Sequence, residues 1–117
     1  MKICKLEHLL LSILLLGCST NHLFAKDLPG KDLFYNSKGK YGSCNHCHVG
    51  GNSAGRWNLE TQKIDQEDGK KIPSLKGIGK RKDEEQIIRS IQLMKKMFSF
   101  KLTDEQISQL AEYVGTL

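Results

Sequence analysis

The residues best suited to chemistry in this sequence are the five of Cys44-Asn45-His46-Cys47-His48. Two thiols three positions apart on one helical turn can each add to a vinyl group on the same porphyrin edge, which makes two thioethers. A histidine directly after the second thiol can then bind the iron axially. The pattern C-x-x-C-H is that of covalent haem attachment. It predicts one covalent haem c held by Cys44 and Cys47, with His48 as a metal ligand.

Two other chemistries also use paired thiols. A structural zinc site takes four ligands, commonly two C-x-x-C pairs or one pair plus two spaced histidines, and no further cysteine or histidine follows His48. A thioredoxin-like pair needs a βαβ context, whereas the segments around residue 44 are rich in Gly and Lys and show no strand alternation. Haem attachment is therefore the favoured interpretation.

A methionine sulfur can fill the sixth position of the iron. Residues 83–98 are predicted as a helix, because Asp83 can serve as its N-cap and apolar residues such as Ile87 recur at helical spacing. Met94 continues this apolar stripe and is expected to fill the core. Met97 falls where the helix should end, in a segment that can turn its sulfur toward iron. Met97 is the predicted metal ligand, and Met94 is the alternative.

The remaining elements are expected to be helices and loops. Thr103 and Gln106 form a capping box for the last helix, which should end at Gly115. A further helix is expected over residues 30–37, and the polar, Gly-containing segment 49–72 is expected to be a long loop. The predicted fold class is all-α, with about three to five short helices wrapped around the haem.

An apolar run lies near the start of the chain. Residues 9–16, after Lys2 and Lys5, read Leu-Leu-Leu-Ser-Ile-Leu-Leu-Leu. This run is too short for a bilayer, which needs roughly 20 residues, and it is typical of a secretory signal. Leu15-Leu16-Gly17-Cys18 resembles a bacterial lipoprotein signal, which predicts a signal peptide over residues 1–17 and lipidation of Cys18. Cleavage after residue 25 is the alternative.

This leader sets the expected location. Residues 18–28 would form a tether and residues 29–117 the functional domain. Several acyl chains on one cysteine would hold the domain at a membrane surface, whereas a single chain binds only marginally. The protein is expected on the periplasmic side of a bacterial membrane through a lipid anchor, or in the soluble periplasm if cleavage follows residue 25.

From residue 29 to about residue 115, the sequence resembles a small bacterial class I cytochrome c with one haem. Gly30 and Phe34, ahead of the C-x-x-C-H motif, are similar to the family's first helix, where the glycine allows a close crossing with the last helix. Tyr113 matches the aromatic position of that last helix. The resemblance implies the class I cytochrome c fold for residues 29–117.

The same resemblance implies roles for two further segments. Ile72-Pro73-Ser74-Leu75 looks like the family's proline segment, whose carbonyl, here that of Pro73, accepts a hydrogen bond from the ligand histidine. Met97-Phe98-Ser99-Phe100 resembles the family's Met-Pro-x-Phe stretch and also selects Met97. Two departures stand out: Val49 replaces a glycine common after the histidine, and Phe98 replaces a proline that would fix φ.

Arg56 and Trp57 lie in the segment between the histidine and the proline. Both can donate hydrogen bonds to a haem propionate. The alternative for Trp57 is simple packing over the loop. Apolar residues expected around the haem or in the helix contacts beside it are Leu33, Phe34, Leu75, Ile87, Ile91, Phe100, Leu110 and Val114. With so small a core of its own, the haem-free chain is expected to be poorly folded.

Coordination by histidine and thioether sulfur leaves no open site on iron and raises its potential. The expected function is a one-electron carrier between periplasmic or membrane-bound redox partners, and not an enzyme. A haem-based gas sensor or peroxidase-like protein is the alternative if the sixth site is open or labile. A metal-binding or structural lipoprotein without haem is a third class.

The charge distribution bears on partners. The chain has a formal net charge of +5. Basic residues flank the segments expected to frame the haem: Lys70, Lys71, Lys76, Lys80, Arg81, Lys82, Lys95 and Lys96. They predict a basic rim for redox partners with acidic docking surfaces, with a solvated lysine-rich surface as the alternative. Nucleic acid is not expected, because no base-reading motif is present, and the protein is expected to be a monomer.

Overall fold

The computed structural model describes residues 28–117, so the predicted signal peptide, Cys18 and nearly all of the tether lie outside the described residues. This part of the chain forms five helices: α1 Pro29–Asn36, α2 Cys44–Cys47, α3 Ile78–Arg81, α4 Glu84–Phe98 and α5 Asp104–Val114. It also forms five strands: β1 His48–Val49, β2 Asn52–Ser53, β3 Arg56–Asn58, β4 Lys63–Asp65 and β5 Lys70–Lys71.

The expectation of an all-α fold is wrong, because two small antiparallel sheets accompany the helices and make the fold mixed α/β. The expectation of a structureless loop over residues 49–72 is wrong for the same reason. Strands of two or three residues are too short to produce an alternating pattern in the sequence. The positions of these strands are set by the turn residues between them, and the turn residues are the local sequence signal for the strands.

Helix boundaries follow from capping. Asp83 and Gln86 form a reciprocal capping box at the start of α4, and Thr103 and Gln106 form another at the start of α5. The predicted caps of both helices are confirmed. At the other end of α4, Ser99 caps the helix in a left-handed conformation with φ 57°, so Phe98 is the last helical residue.

Helices α1 and α5 cross at a glycine, as the resemblance implied. A Cβ atom at Gly30 would contact the backbone carbonyl oxygen of Gln109 and would lie 2.8 Å from the Cβ of Tyr113. One turn further along α1, the ring of Phe34 packs edge-on against Tyr113 with centroids 5.5 Å apart. The absence of a side chain at position 30 therefore sets how closely these helices approach.

The apolar core lies between α1, α3, α4 and α5. Its buried members are Phe34, Ile78, Ile87, Ile91, Leu102, Ile107, Leu110, Ala111 and Val114. Leu102 directly precedes the Thr103 cap, and Ile107 is the fourth residue of α5. This is the spacing of a hydrophobic staple, which fixes the angle at which the chain enters a helix.

Strands β1 and β2 form a hairpin directly after α2. His48 pairs with Ser53, and Val49 pairs with Asn52. The two residues between them, Gly50 and Gly51, have φ values of 57° and 94°. Positive φ at both positions is what a tight two-residue hairpin turn requires.

The second sheet has the strand order β4-β3-β5. Its two turns are organised by carboxylate or amide oxygens: Asn58 Oδ1 accepts from the backbone N–H of Glu60, and Asp65 Oδ1 accepts from that of Glu67. This sheet lies within residues 56–71. The two ends of that segment are close together, because the N–H of Ile72 donates to the carbonyl of Gly55 over 2.9 Å.

Candidate haem site

Cys44 and Cys47 lie at the two ends of the single-turn helix α2, and both are free, half-buried thiols. Burial raises the pKa of Cys44 to about 11. Burial also raises the pKa of Cys47. Both thiols are therefore protonated at neutral pH.

His48 follows α2 as the first residue of β1, and its ring orientation is fixed from outside the motif. Its Nδ1 lies 2.9 Å from the carbonyl oxygen of Pro73. Because a carbonyl can only accept, Nδ1 carries the proton of this bond and Nε2 is left as the basic nitrogen. Burial lowers the pKa of His48, while the bond to Pro73 acts in the opposite direction. The imidazole is thus held neutral, in the tautomer that suits metal binding through Nε2.

Two adjoining cavities meet at this residue. Their volumes are about 80 and 60 Å³, and both are lined by Cys44, His48, Met94 and Phe100. The motif therefore borders two small, mainly apolar cavities.

The larger cavity is walled mainly by aliphatic side chains. Seven of the eight apolar residues expected from the sequence line it: Phe34, Leu75, Ile87, Ile91, Phe100, Leu110 and Val114. The eighth, Leu33, packs against the core cluster. Sequence reasoning missed four further lining residues, which are Ile78, Ser90, Lys95 and Leu102. Ile78 could have been expected at the cavity from its spacing of three residues from Leu75.

The smaller cavity is walled by aromatic rings. Tyr41 and Phe98 line it together with Cys47 and His48. Sequence reasoning missed both rings as wall residues, because Tyr41 lies in the segment between α1 and α2, where no periodic pattern marks it. Phe98 was considered only as a replacement for proline, and its position in the last turn of α4 brings it to the cavity.

The two methionines occupy different environments. Met94 lines both cavities beside His48, whereas Met97 lines neither and is 54% exposed. Helix α4 runs without interruption to Phe98. Met97 therefore lies at the end of the helix, as predicted, but in its last regular turn and with its side chain largely exposed. Of the two methionines, the alternative, Met94, is the one that lines the same cavities as His48.

Arg56 and Trp57 both lie on β3, and their side chains have partners within the protein. The Nε of Arg56 donates to the carbonyl of Gly69 over 2.8 Å. The indole of Trp57 packs against the ring of Tyr41, with centroids 5.0 Å apart. Trp57 thus packs behind the aromatic wall of the smaller cavity, which agrees with the packing role weighed for it.

The proline segment is held in place from both sides. The N–H of Leu75 donates to the carbonyl of Gly51 over 2.7 Å. From α3, Arg81 Nη1 donates to the carbonyl of Lys76 over 2.8 Å. The carbonyl that meets His48 therefore belongs to an anchored segment.

The donor set is compatible with a haem c. Two thiols lie on one turn, a neutral imidazole with a free Nε2 follows them, and a thioether sulfur lines the same apolar cavities. Soft sulfur and imidazole are the axial ligands that haem iron takes in cytochromes c. The apolar walls supply the dry surroundings that such a group needs.

No protein-family model matches the chain, and neither a curated protein nor a solved structure matches it. Across residues 28–117, no helix is long and apolar enough to cross a membrane. Within the same span, no three His, Cys, Asp or Glu side chains come together as a possible metal-binding group.

Proposed function

We propose that this protein is a one-electron carrier with a single covalently bound haem c, of the class I cytochrome c type. The observation that carries the proposal is the hydrogen bond of 2.9 Å between His48 Nδ1 and the Pro73 carbonyl. This bond occupies Nδ1 and leaves Nε2 as the nitrogen that can bind a metal, at the residue that follows two thiols on one turn. An imidazole prepared in this way is a metal ligand with its supporting hydrogen bond already formed.

Cys44 and Cys47 would hold the group by thioethers. In each addition, the S–H bond and one vinyl C=C bond are replaced by a C–S and a C–H bond, so no oxidant or reductant is consumed. His48 would bind the iron through Nε2, and Met94 would supply the sulfur. When bound, the haem supplies a centre that gains or loses one electron without a change of ligands.

The protein's own contribution is to exclude water and to keep the ligands in place. The walls of the larger cavity come from all five described helices, and α4 and α5 both begin at capping boxes, which favours a rigid wall. A rigid, apolar surrounding lowers the rearrangement that accompanies a change of charge at the iron, which suits outer-sphere transfer and suits substrate chemistry poorly. We therefore propose that the protein carries electrons and catalyses no reaction of its own.

The proposed setting is the periplasmic side of a bacterial membrane. It rests on the apolar run at residues 9–16 and on Cys18, with the soluble periplasm as the alternative. The partners proposed are redox proteins with acidic docking surfaces. Seven of the eight basic residues of the predicted rim are exposed, and Lys95 is half-buried at the edge of the larger cavity. An association rate that falls with rising salt would support this electrostatic steering.

The test is to produce the full chain in a host that matures c-type cytochromes, and to measure the mass and the optical spectra of both redox states. We expect the mass of one added haem and a weak sulfur-to-iron band in the oxidised protein. A polypeptide with no added tetrapyrrole would contradict the proposal. Ready binding of carbon monoxide by the reduced protein would instead support an open-site haem protein, such as a gas sensor or a peroxidase-like protein.

A further inference from the structure

Asn45, the first residue between the two cysteines, makes a contact that the attachment chemistry does not require. Its side-chain Oδ1 accepts a hydrogen bond of 2.8 Å from the backbone N–H of Gly50, in the turn of the β1–β2 hairpin. Asn45 is half-buried, whereas its neighbour His46 is exposed. Only one of the two residues inside the motif is therefore tied to the surrounding fold.

Gly50 itself has few other contacts. A Cβ atom there would have no heavy atom within 4 Å, and its φ of 57° lies in the left-handed region that favours glycine. Its neighbour Gly51 is buried, with Leu117 and Lys76 beside it, so the turn is also held from that side. The bond from Asn45 is therefore the restraint on the Gly50 side of the turn.

From this turn, hydrogen bonds lead back to the histidine. The N–H of Gly51 donates to the carbonyl of His48 over 2.9 Å, and the carbonyl of Gly51 accepts from the N–H of Leu75 over 2.7 Å. Two residues before Leu75, the carbonyl of Pro73 accepts from His48 Nδ1 over 2.9 Å. Asn45, the turn, the proline segment and the imidazole thus form a closed ring of hydrogen bonds.

We propose that Asn45 is a positioning residue for His48. Its bond to Gly50 fixes the glycine turn, and the turn holds Leu75. Leu75 keeps the proline segment in place, so that the Pro73 carbonyl lies against the imidazole. The geometric part of this proposal concerns the chain alone. The effect of Asn45 on the reduction potential of a bound haem iron rests on the proposed function.

The expected effect on the metal has a definite direction. A firm bond from Nδ1–H to a carbonyl increases the basicity of the imidazole toward a metal, and a more basic ligand favours the oxidised, more positive iron. Loosening the Pro73 carbonyl should therefore raise the reduction potential.

Three variants separate the contact from general disturbance of the motif. Asn45→Ala removes the acceptor, Asn45→Asp keeps an oxygen that can accept from Gly50, and His46→Ala removes the exposed neighbour on the same turn. Amide hydrogen exchange at Gly50 and Leu75, followed by NMR, reports the ring of hydrogen bonds. The reduction potential of Asn45→Ala and His46→Ala, measured by optical titration, reports the iron.

We expect faster exchange at both amides and a higher potential in Asn45→Ala alone, with exchange close to wild type in Asn45→Asp and in His46→Ala. Wild-type exchange and potential in Asn45→Ala would overturn the proposal, as would an equal change in His46→Ala. The Gly50 amide of the unmodified protein gives a test without any variant, because rapid exchange there would also overturn it.

The two proposals can fail separately. Mass spectrometry of each sample reports whether haem is attached, which tests the proposed function. If no haem is attached to the wild-type protein, the exchange of Gly50, of Leu75 and of the His48 Nδ1 proton still decides whether Asn45 positions the imidazole.

Discussion

The ring of Phe98 packs edge-on against the indole of Trp57, with centroids 5.7 Å apart and an interplanar angle of 87°. This contact joins the last turn of α4 to β3. Tyr41 completes the cluster, 5.0 Å from Trp57 and 6.2 Å from Phe98 between ring centroids. Because Tyr41 and Phe98 line the smaller cavity, the three-stranded sheet supports the wall of the candidate haem site through Trp57.

Replacement of Trp57 by alanine should therefore destabilise the fold. The indole is half-buried, so we expect a loss of about 2 kcal/mol, below the 3–5 kcal/mol typical of fully buried aromatic residues. Leu59→Ala, one residue beyond the same strand at a side chain that is 73% exposed, is the matched control. It should change the free energy of unfolding in urea by less than about 0.5 kcal/mol. Equal effects of the two substitutions would contradict the supporting role of Trp57.

The crossing of α1 and α5 predicts a strong effect at Gly30. The methyl group of Gly30→Ala would press on the Gln109 carbonyl and on the Cβ of Tyr113, and overpacking of this kind typically costs about 1–3 kcal/mol. Lys31→Ala, at an exposed position on the same helix, is the control and should be nearly neutral. Denaturant midpoints of the two variants provide the measurement. A neutral Gly30→Ala would mean that the helices can separate without cost.

The two methionines give a direct comparison at the iron. In the haem-loaded protein, Met94→Ala should abolish the sulfur-to-iron band and allow the reduced form to bind carbon monoxide, because Met94 is the methionine beside His48. Met97→Ala should leave both properties unchanged, since that side chain is 54% exposed and outside the cavities. Loss of the band in Met97→Ala only would restore the assignment made from the sequence.

The buried thiol predicts a pH-dependent reactivity in a chain made without haem, provided that this chain folds, which far-UV circular dichroism reports first. With its pKa raised from 9.0 to about 11, Cys44 should carry about a hundredfold less thiolate at pH 8 than it would with an unshifted pKa, since two pKa units correspond to that factor. Alkylation by iodoacetamide should be slowed accordingly in the folded chain relative to the chain in urea, with mass spectrometry locating the adduct. Comparable rates in the two states would show that the thiol is not shielded.

The same shift has a consequence for stability. A folded-state pKa above the unfolded value means that the folded chain binds the proton more tightly. The stabilisation is fully present below about pH 9 and is lost as the pH rises toward about 11. Urea unfolding of wild type and of Cys44→Ser across this window should show a steeper decline for wild type.

Strong local chemistry made the helical part of the fold predictable. The Thr103–Gln106 capping box and the Asp83 cap are formed as expected, because a side-chain oxygen three residues before a free amide acts within one turn. The apolar stripes behind these caps gave five of the residues that line the larger cavity, which are Ile87, Ile91, Met94, Leu110 and Val114. Gly30 could be placed opposite Tyr113 through the resemblance alone, since no local rule connects residues so far apart.

The parts that were missed depend on tertiary contacts or on very short elements. Strand β1 has only two residues, so its signal was the Gly50–Gly51 pair rather than any alternation. The sequence placed Met94 in the core and Met97 at the iron, because the pattern could not show that the core side of α4 is also the cavity side. Helix α4 ends at Phe98, as predicted, but Met97 is 54% exposed there. Which sulfur binds the iron stays a prediction.

The bond between Ile72 and Gly55 brings the two ends of the three-stranded sheet segment together. Side chains also connect this segment to its surroundings: Gln66 donates to the carbonyl of Ala54 over 3.1 Å, and the indole of Trp57 packs against Tyr41 and Phe98. The exposed turn at residues 59–62 has no part in these contacts, so we expect its length to vary without moving the proline that meets His48. This turn is therefore the place where a new recognition loop could be grafted onto the molecule.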